Sequence, residues 1–163
     1  MVVRRILLLF AVILLPLIEM NADEHQPGDR GVGRVKIGVS AGKSPNLTAG
    51  FPIGTSSEVS TTIGTNWKLS SILFAVNPQF KVVNIRFGKE VFPLSLGPHL
   101  GLKFIDGGYL SVEAMGILRW QYTFSFPINV YIEGGGGASY KAGKGKSDIS
   151  LIWTANIGLR YVL

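Results

Sequence analysis

The sequence predicts an all-β chain, a small antiparallel transmembrane β-barrel of about eight strands. The first reason lies in the final segment. Ile149, Leu151, Trp153, Ala155, Ile157, Leu159, Tyr161 and Leu163 share one phase, and Ser150, Ile152, Thr154, Asn156, Gly158 and Arg160 share the other. That is the period of a β-strand. A long apolar stripe backed by small and polar side chains suits a strand with lipid on one side and a wet lumen on the other. The second reason is an export-type leader at residues 1–22. Arg4 and Arg5 precede the apolar run Ile6–Ile18, and Met20-Asn21-Ala22 comes before Asp23 and Glu24. The third is composition. Glycine supplies 21 of 163 residues and cysteine none, and many glycines fall on the lumen phase, where a narrow barrel has little room.

The apolar run of the leader is shorter than the roughly 20 residues a spanning helix needs. A cleaved signal peptide is therefore expected, with an uncleaved anchor helix as the alternative. Cleavage after Ala22 leaves 163 − 22 = 141 residues, enough for one domain of about eight strands. The division is then a signal at 1–22, a flexible polar lead-in at 23–33 and the barrel at 34–163. The expected location is the bacterial outer membrane. The expected partners are outer-membrane lipid, lipopolysaccharide and the barrel-assembly machinery, with no nucleic acid and no cofactor, and the barrel is expected to be a monomer. The formal net charge is +6, or +5 once Arg4, Arg5 and Glu19 leave with the signal. An excess of Lys and Arg suits a surface facing anionic lipopolysaccharide, and equally an ordinary balance on solvated loops.

Along the mature chain, residues 34–41 alternate, with Val35, Ile37, Val39 and Ala41 opposing Lys36, Gly38 and Ser40. Residues 42–57 hold Gly42, Pro45, Gly50, Pro52 and Gly54 and read as a long loop. Residues 60–76 form either two short strands folded at Gly64-Thr65-Asn66 or one strand and an irregular segment. Asn77-Pro78 reads as a turn. Residues 80–88 alternate again, with Val83, Ile85 and Phe87 outward and Asn84, Arg86 and Gly88 inward. Residues 94–104 place Leu94, Leu96, Pro98, Leu100, Leu102 and Phe104 on one face. Pro98 lacks a ladder donor, so a bulge or a gap in pairing is expected there. Asp106-Gly107-Gly108 is a tight hairpin.

Residues 109–122 turn Leu110, Val112, Ala114, Leu118, Trp120 and Tyr122 outward and Ser111, Glu113, Arg119 and Gln121 inward. After a turn at 124–127, residues 128–140 turn Ile128, Val130, Ile132, Ala138 and Tyr140 outward. Asn129, Tyr131, Glu133 and Ser139 point inward. Residues 141–147 read as a basic, Gly-rich loop before the final strand. With the C-terminus in the periplasm, the connections at 141–148, 105–108 and 77–79 are extracellular, and those at 123–127 and 89–93 periplasmic. Trp120, Tyr122 and Tyr161 then fall near the periplasmic rim, as an aromatic girdle requires. The rival architecture is a soluble sandwich or lipocalin-like barrel with apolar residues inward. It fits less well, because only 16% of the chain is charged and the polar phase is rich in Gly, Ser and Asn.

Lys36, Arg86, Lys103, Glu113, Arg119, Glu133 and Arg160 all fall on the lumen phase. Buried charges need partners of opposite sign, so these residues are expected to form a structural network filling a narrow pore. A proton or ion pathway is the alternative. His99 is the one candidate base of the barrel. A nucleophile and an orienting acid beside it would be needed for hydrolysis; Ser95 is four residues along the same strand and Glu113 on the next. The absence of Cys and the scarcity of His give no metal cluster. Gly42-Lys43-Ser44 and Gly145-Lys146-Ser147 end like a phosphate-binding loop, but Ile37 and Tyr140 stand where its first glycine belongs.

The stretch Trp120-Gln121-Tyr122-Thr123-Phe124, followed by Ile128-Asn129-Val130-Tyr131-Ile132-Glu133-Gly134-Gly135-Gly136-Gly137-Ala138, resembles the lipid A 3-O-deacylase (acyloxyacyl hydrolase) family. Asn156-Ile157-Gly158-Leu159-Arg160-Tyr161 is similar to that family's G-x-G-[LI]-x-[YF] strand end. The resemblance covers about residues 109–163. It implies an outer-membrane barrel acting on lipid A acyl esters. The family's catalytic His and Ser lie on a further H-x-S-N strand. The sequence stops at Leu163, so no position inherits those roles, and a non-catalytic relative is expected. The three functions carried forward are a non-enzymatic barrel, structural or lipopolysaccharide-contacting, an acyl-ester hydrolase, and a narrow channel.

Overall fold

The computed structural model describes residues 33–88 and 90–163. The expected signal and nearly all of the lead-in lie outside these residues. Eight strands follow one another: β1 (Lys36–Gly42), β2 (Asn46–Ile53), β3 (Ser57–Thr65), β4 (Ser71–Phe87), β5 (Glu90–Ile105), β6 (Tyr109–Thr123), β7 (Ile128–Gly143) and β8 (Lys146–Val162). Each pairs antiparallel with its sequence neighbours, and β1 closes on β8 to make a barrel. A row of paired residues followed once round the ring leaves β8 at Asp148. It passes Lys141, Ser111, Lys103, Leu73, Gly64, Asn46 and Ser40 and re-enters β8 at Gly158, ten residues from its start. Such a stagger tilts the strands and sets the width of the lumen.

The wall is inside out relative to a soluble barrel. Leu96, Leu100, Leu118, Trp120, Ile132, Leu151, Ile157 and Leu159 are exposed on the outside, while Ser60, Gln79, Ser95, Arg119, Asn129 and Arg160 are buried within. Turns at 43–45, 66–70, 106–108 and 144–145 share one end, here the hairpin end. Lys36, Val162 and the turns at 54–56 and 124–127 mark the other, the terminal end. There Phe92 stacks on Tyr122, with 4.8 Å between ring centroids, and Phe124 on Phe126 at 5.0 Å. Trp120 and Tyr161 stand at the same end.

The total of eight strands holds, but the first half of the chain is partitioned differently from the sequence reading. The expected loop at 42–57 contains β2, whose Asn46, Thr48 and Gly50 face inward opposite Gly64, Thr62 and Ser60 of β3. Pro52 is tolerated because β1 pairs with β2 only as far as Lys36↔Gly50, so no ladder bond is lost beyond that point. Residues 60–76 do contain a turn, but at Asn66–Ser70, where the Asn66 Oδ1 accepts the Ser70 N–H at 2.8 Å. Asn77-Pro78 is not a turn. It lies inside β4, and the ladder to β5 skips from Val76↔Leu100 to Phe80↔Leu96. Pro78 and Pro98 stand opposite each other in that gap, so neither strand offers a donor there. The 77–79 connection assigned to the hairpin end is thus replaced by 66–70. Residues 141–147 are mostly ladder, with only Lys144 and Gly145 at the tip, both at positive φ (50° and 72°) as a type I′ turn requires.

Strand heights differ strongly. β1, β2 and β3 have 7, 8 and 9 residues, whereas β4 to β8 have 15 to 17. At the terminal end β4 outruns β3, whose last partner is Phe80, and beyond a register shift between Lys81 and Val83 it continues paired with β5 alone.

Candidate functional site: the charged lumen

The inward phase gathers a cluster of long charged side chains towards the terminal end. Glu58 of β3 is the hub. Its Oε1 accepts from Arg160 Nη1 at 2.6 Å, Arg119 Nη1 at 3.1 Å and Ser60 Oγ at 2.8 Å, and its Oε2 accepts from Lys36 Nζ at 2.6 Å. Arg119 also forks onto Glu133 Oε2, through Nε at 3.0 Å and Nη2 at 2.8 Å. Arg160 donates from Nε and Nη2 to Asn129 Oδ1 at 3.0 and 2.8 Å, and from Nη2 to Gln121 Oε1 at 2.8 Å. Two carboxylates therefore bind three cations from five strands. Such a cluster is stable only with this degree of satisfaction, because each ion has lost its water.

Aromatic packing completes the seal. Both guanidinium groups contact the Tyr131 ring, with Arg119 Cζ 4.8 Å and Arg160 Cζ 4.6 Å from its centroid, at cation–π distance. Its β8 partner is Gly158, where a Cβ would stand 2.2 Å from the ring; only glycine leaves the ring its place. Ile117 and Met115 fill the next layer, against Gly135 and Gly137 of β7. Arg160 and Asn129 are 0% exposed and Tyr131 1%, so the lumen is packed at their level, and a space of about 50 Å³ bordered by Lys36, Glu58, Gln79 and Arg119 lies beside them.

Towards the hairpin end the lumen opens into a cup of about 290 Å³, bordered by Asn77, His99, Glu113, Ser139, Trp153 and Asn156. Its polar groups are looser. Lys103 Nζ stands 3.9 Å from Glu113 Oε1, and the Ser111 and Ser139 hydroxyls share one hydrogen bond at 2.6 Å. His99 is buried, with Nδ1 hydrogen-bonded to Asn77 Oδ1, while Nε2 has no partner among the described residues. Its neighbour is thus an amide rather than a hydroxyl nucleophile or a carboxylate. A larger concavity of about 990 Å³ lies against the outer wall beside Val39, Leu47, Ile63, Ile157 and Leu159, and no charged residue lines it.

Of the charges placed in the lumen from sequence, Lys36, Arg119, Glu133 and Arg160 meet in the Glu58 cluster, and Lys103 and Glu113 form a separate pair in the cup. Arg86 departs from that expectation. It is exposed on the β4–β5 hairpin, opposite Val91 and beyond the end of β3, so the barrel does not enclose it. The hub itself, Glu58, was missed because it fell at the margin of a presumed loop. Its signal was present: Glu58, Ser60, Thr62 and Gly64 alternate with Val59, Thr61 and Ile63. The two Gly-Lys-Ser triplets occupy strand-to-strand turns rather than a strand-to-helix turn. Among the described residues no three His, Asp or Glu gather as a metal site, and no helix is long and apolar enough to cross a membrane.

Comparison of the chain with protein-family models, with curated proteins and with solved structures finds no match.

Proposed function

We propose that this chain is an outer-membrane β-barrel with a plugged lumen, a non-enzymatic wall protein that contacts lipopolysaccharide at its hairpin end. The observation that carries the reading is the reversed wall: apolar side chains cover the outside while charges and amides fill the inside. Water would not tolerate such an exterior, and a bilayer would not tolerate the interior turned outward. The aromatic cluster at the terminal end suits a membrane–water interface. Lys43, Lys68, Lys141, Lys144 and Lys146 lie at or near the opposite turns, against Asp106 and Asp148, a charge excess that suits lipid phosphates.

The plug argues against the narrow-channel reading, since ions would have to cross the Glu58 cluster. The inward orientation of His99 and its amide partner argue against hydrolysis of an ester held in the bilayer. The resemblance to lipid A deacylases is one of wall strands, at residues 120–124, 128–138 and 156–161, and supports the barrel part of the reading. Reconstitution tests this. The protein should insert into liposomes, run with heat-modifiable mobility and leave a planar bilayer without discrete conductance. Recovery as a soluble monomer would overturn the membrane reading. Mass spectrometry of lipid A from producing cells should show no lost acyl chain; a loss abolished by His99→Ala would make the protein a hydrolase.

A further inference from the structure

The stagger of the barrel leaves a seam half closed. β8 runs from Lys146 to Val162, but β1 meets it only between Asn156 and Val162. Residues 146–155 pair with β7 on one side and with no described strand on the other. The carbonyls of Leu159 and Ala155 lie against Gly38 and Gly42 of β1, and the Trp153 carbonyl accepts from Lys43 Nζ at 3.4 Å. Odd-numbered residues of β8 thus direct their backbone groups away from β7. Continuing the same alternation upward, the N–H and C=O of Leu151 and Ile149 face the open edge. The side chains there are the barest on the wall: Leu151 is 92% exposed, Ile149 73% and Trp153 66%. The edge therefore lies within the apolar band rather than above it. In lipid, an unpaired strand edge is costly because no water can satisfy it.

We infer that β8 pairs edge to edge with β8 of a second copy, antiparallel and centred on Leu151. This deepens the outer-membrane reading and rests on it. A second copy is chosen over another occupant because the edge complements itself. A two-fold axis at Leu151 sets Leu151 against the second copy's Leu151, Ile149 against its Trp153 and Trp153 against its Ile149. All three positions carry apolar side chains on the lipid side, and their edge-facing backbone groups meet as donor and acceptor in both directions, the Trp153 carbonyl then being shared with Lys43 Nζ. Asp148 would meet the second copy's Thr154, so no like charges oppose. Lys43, which caps the Trp153 carbonyl, marks where the free edge begins.

The chain contains no cysteine, which gives a background-free test in liposomes or native membranes. Leu151→Cys should give a disulfide-linked dimer on mild oxidation, doubling the apparent mass on a non-reducing gel. Leu159→Cys, at a position paired with β1, should stay monomeric. Leu151→Pro removes the edge donor without removing a β7–β8 hydrogen bond. It should abolish the dimer seen by chemical cross-linking of the otherwise native sequence, while heat-modifiable mobility persists. A folded, inserted Leu151→Cys barrel that gives no disulfide dimer, or a Leu159→Cys barrel that cross-links equally well, overturns the pairing and leaves the membrane reading intact. A chain that never inserts overturns both.

Discussion

The two halves of the lumen are built from the same alternating pattern and end up opposite in character. Nearer the terminal end, Lys36, Glu58, Arg119, Glu133 and Arg160 meet across the barrel, and glycine at 158 leaves room for the Tyr131 ring beside both guanidinium groups. Towards the hairpin end, Ser, Asn and His side chains line much of the wall, Lys103 and Glu113 approach only to 3.9 Å, and a cup remains with Asn156 Oδ1 and His99 Nε2 unpartnered among the described residues. The two halves differ in how fully their polar groups are paired, not in whether they are polar.

The largest effect should come from the hub. Glu58→Ala leaves Lys36, Arg119 and Arg160 short of a counter-charge, and loss of one partner from a buried ion cluster costs roughly 3–5 kcal/mol. The temperature at which the heat-modifiable band shifts should fall steeply; an unchanged midpoint would show that water already reaches the cluster. Glu133→Ala should cost less, about 1.5–3 kcal/mol, because Arg119 keeps Glu58 and Ser60. Urea unfolding in liposomes should rank it between the hub and the cup. Gly158→Ala pushes a methyl group into the Tyr131 ring, an overpacking of about 1–3 kcal/mol. Tyrosine fluorescence and the unfolding midpoint should both change, and a silent variant would mean the ring is free to move. The smallest effect belongs to the cup. Glu113→Ala breaks only a long, part-exposed pair with Lys103, worth at most about 1 kcal/mol. A loss equal to that of Glu58→Ala would erase the distinction between the two halves.

Legibility differed between the two ends of the sequence. β5 to β8 were readable because apolar residues alternate with Gly, Ser and charges over 15 residues or more, which no loop reproduces. β2 to β4 were harder because strand and turn chemistry overlap there. Pro52 sits where β1 no longer reaches, and Pro78 faces Pro98 across a gap, so both lie in strands while carrying a turn signature. Losing β2 to a presumed loop also lost the frame for Glu58. Arg86 erred for a different reason: its inward phase was right in kind, but local pattern does not say where the neighbouring strand stops. Pairing between Glu58 and Arg160, 102 positions apart, has no local signature at all.

The seam between β1 and β8 also bears on how the chain assembles. Hairpins β4 to β8 join neighbours a few residues apart and can zip in sequence. The closing pair joins the two extremes of the barrel through only the seven residues of β1, at the greatest loop-closure cost and with a short ladder to offset it. Lys36 and Arg160 stand on the two strands of that seam and both bind Glu58. The carboxylate of β3 therefore ties the two strands of that seam together. Variants that weaken it should refold with normal early kinetics and stall as an open, curled sheet.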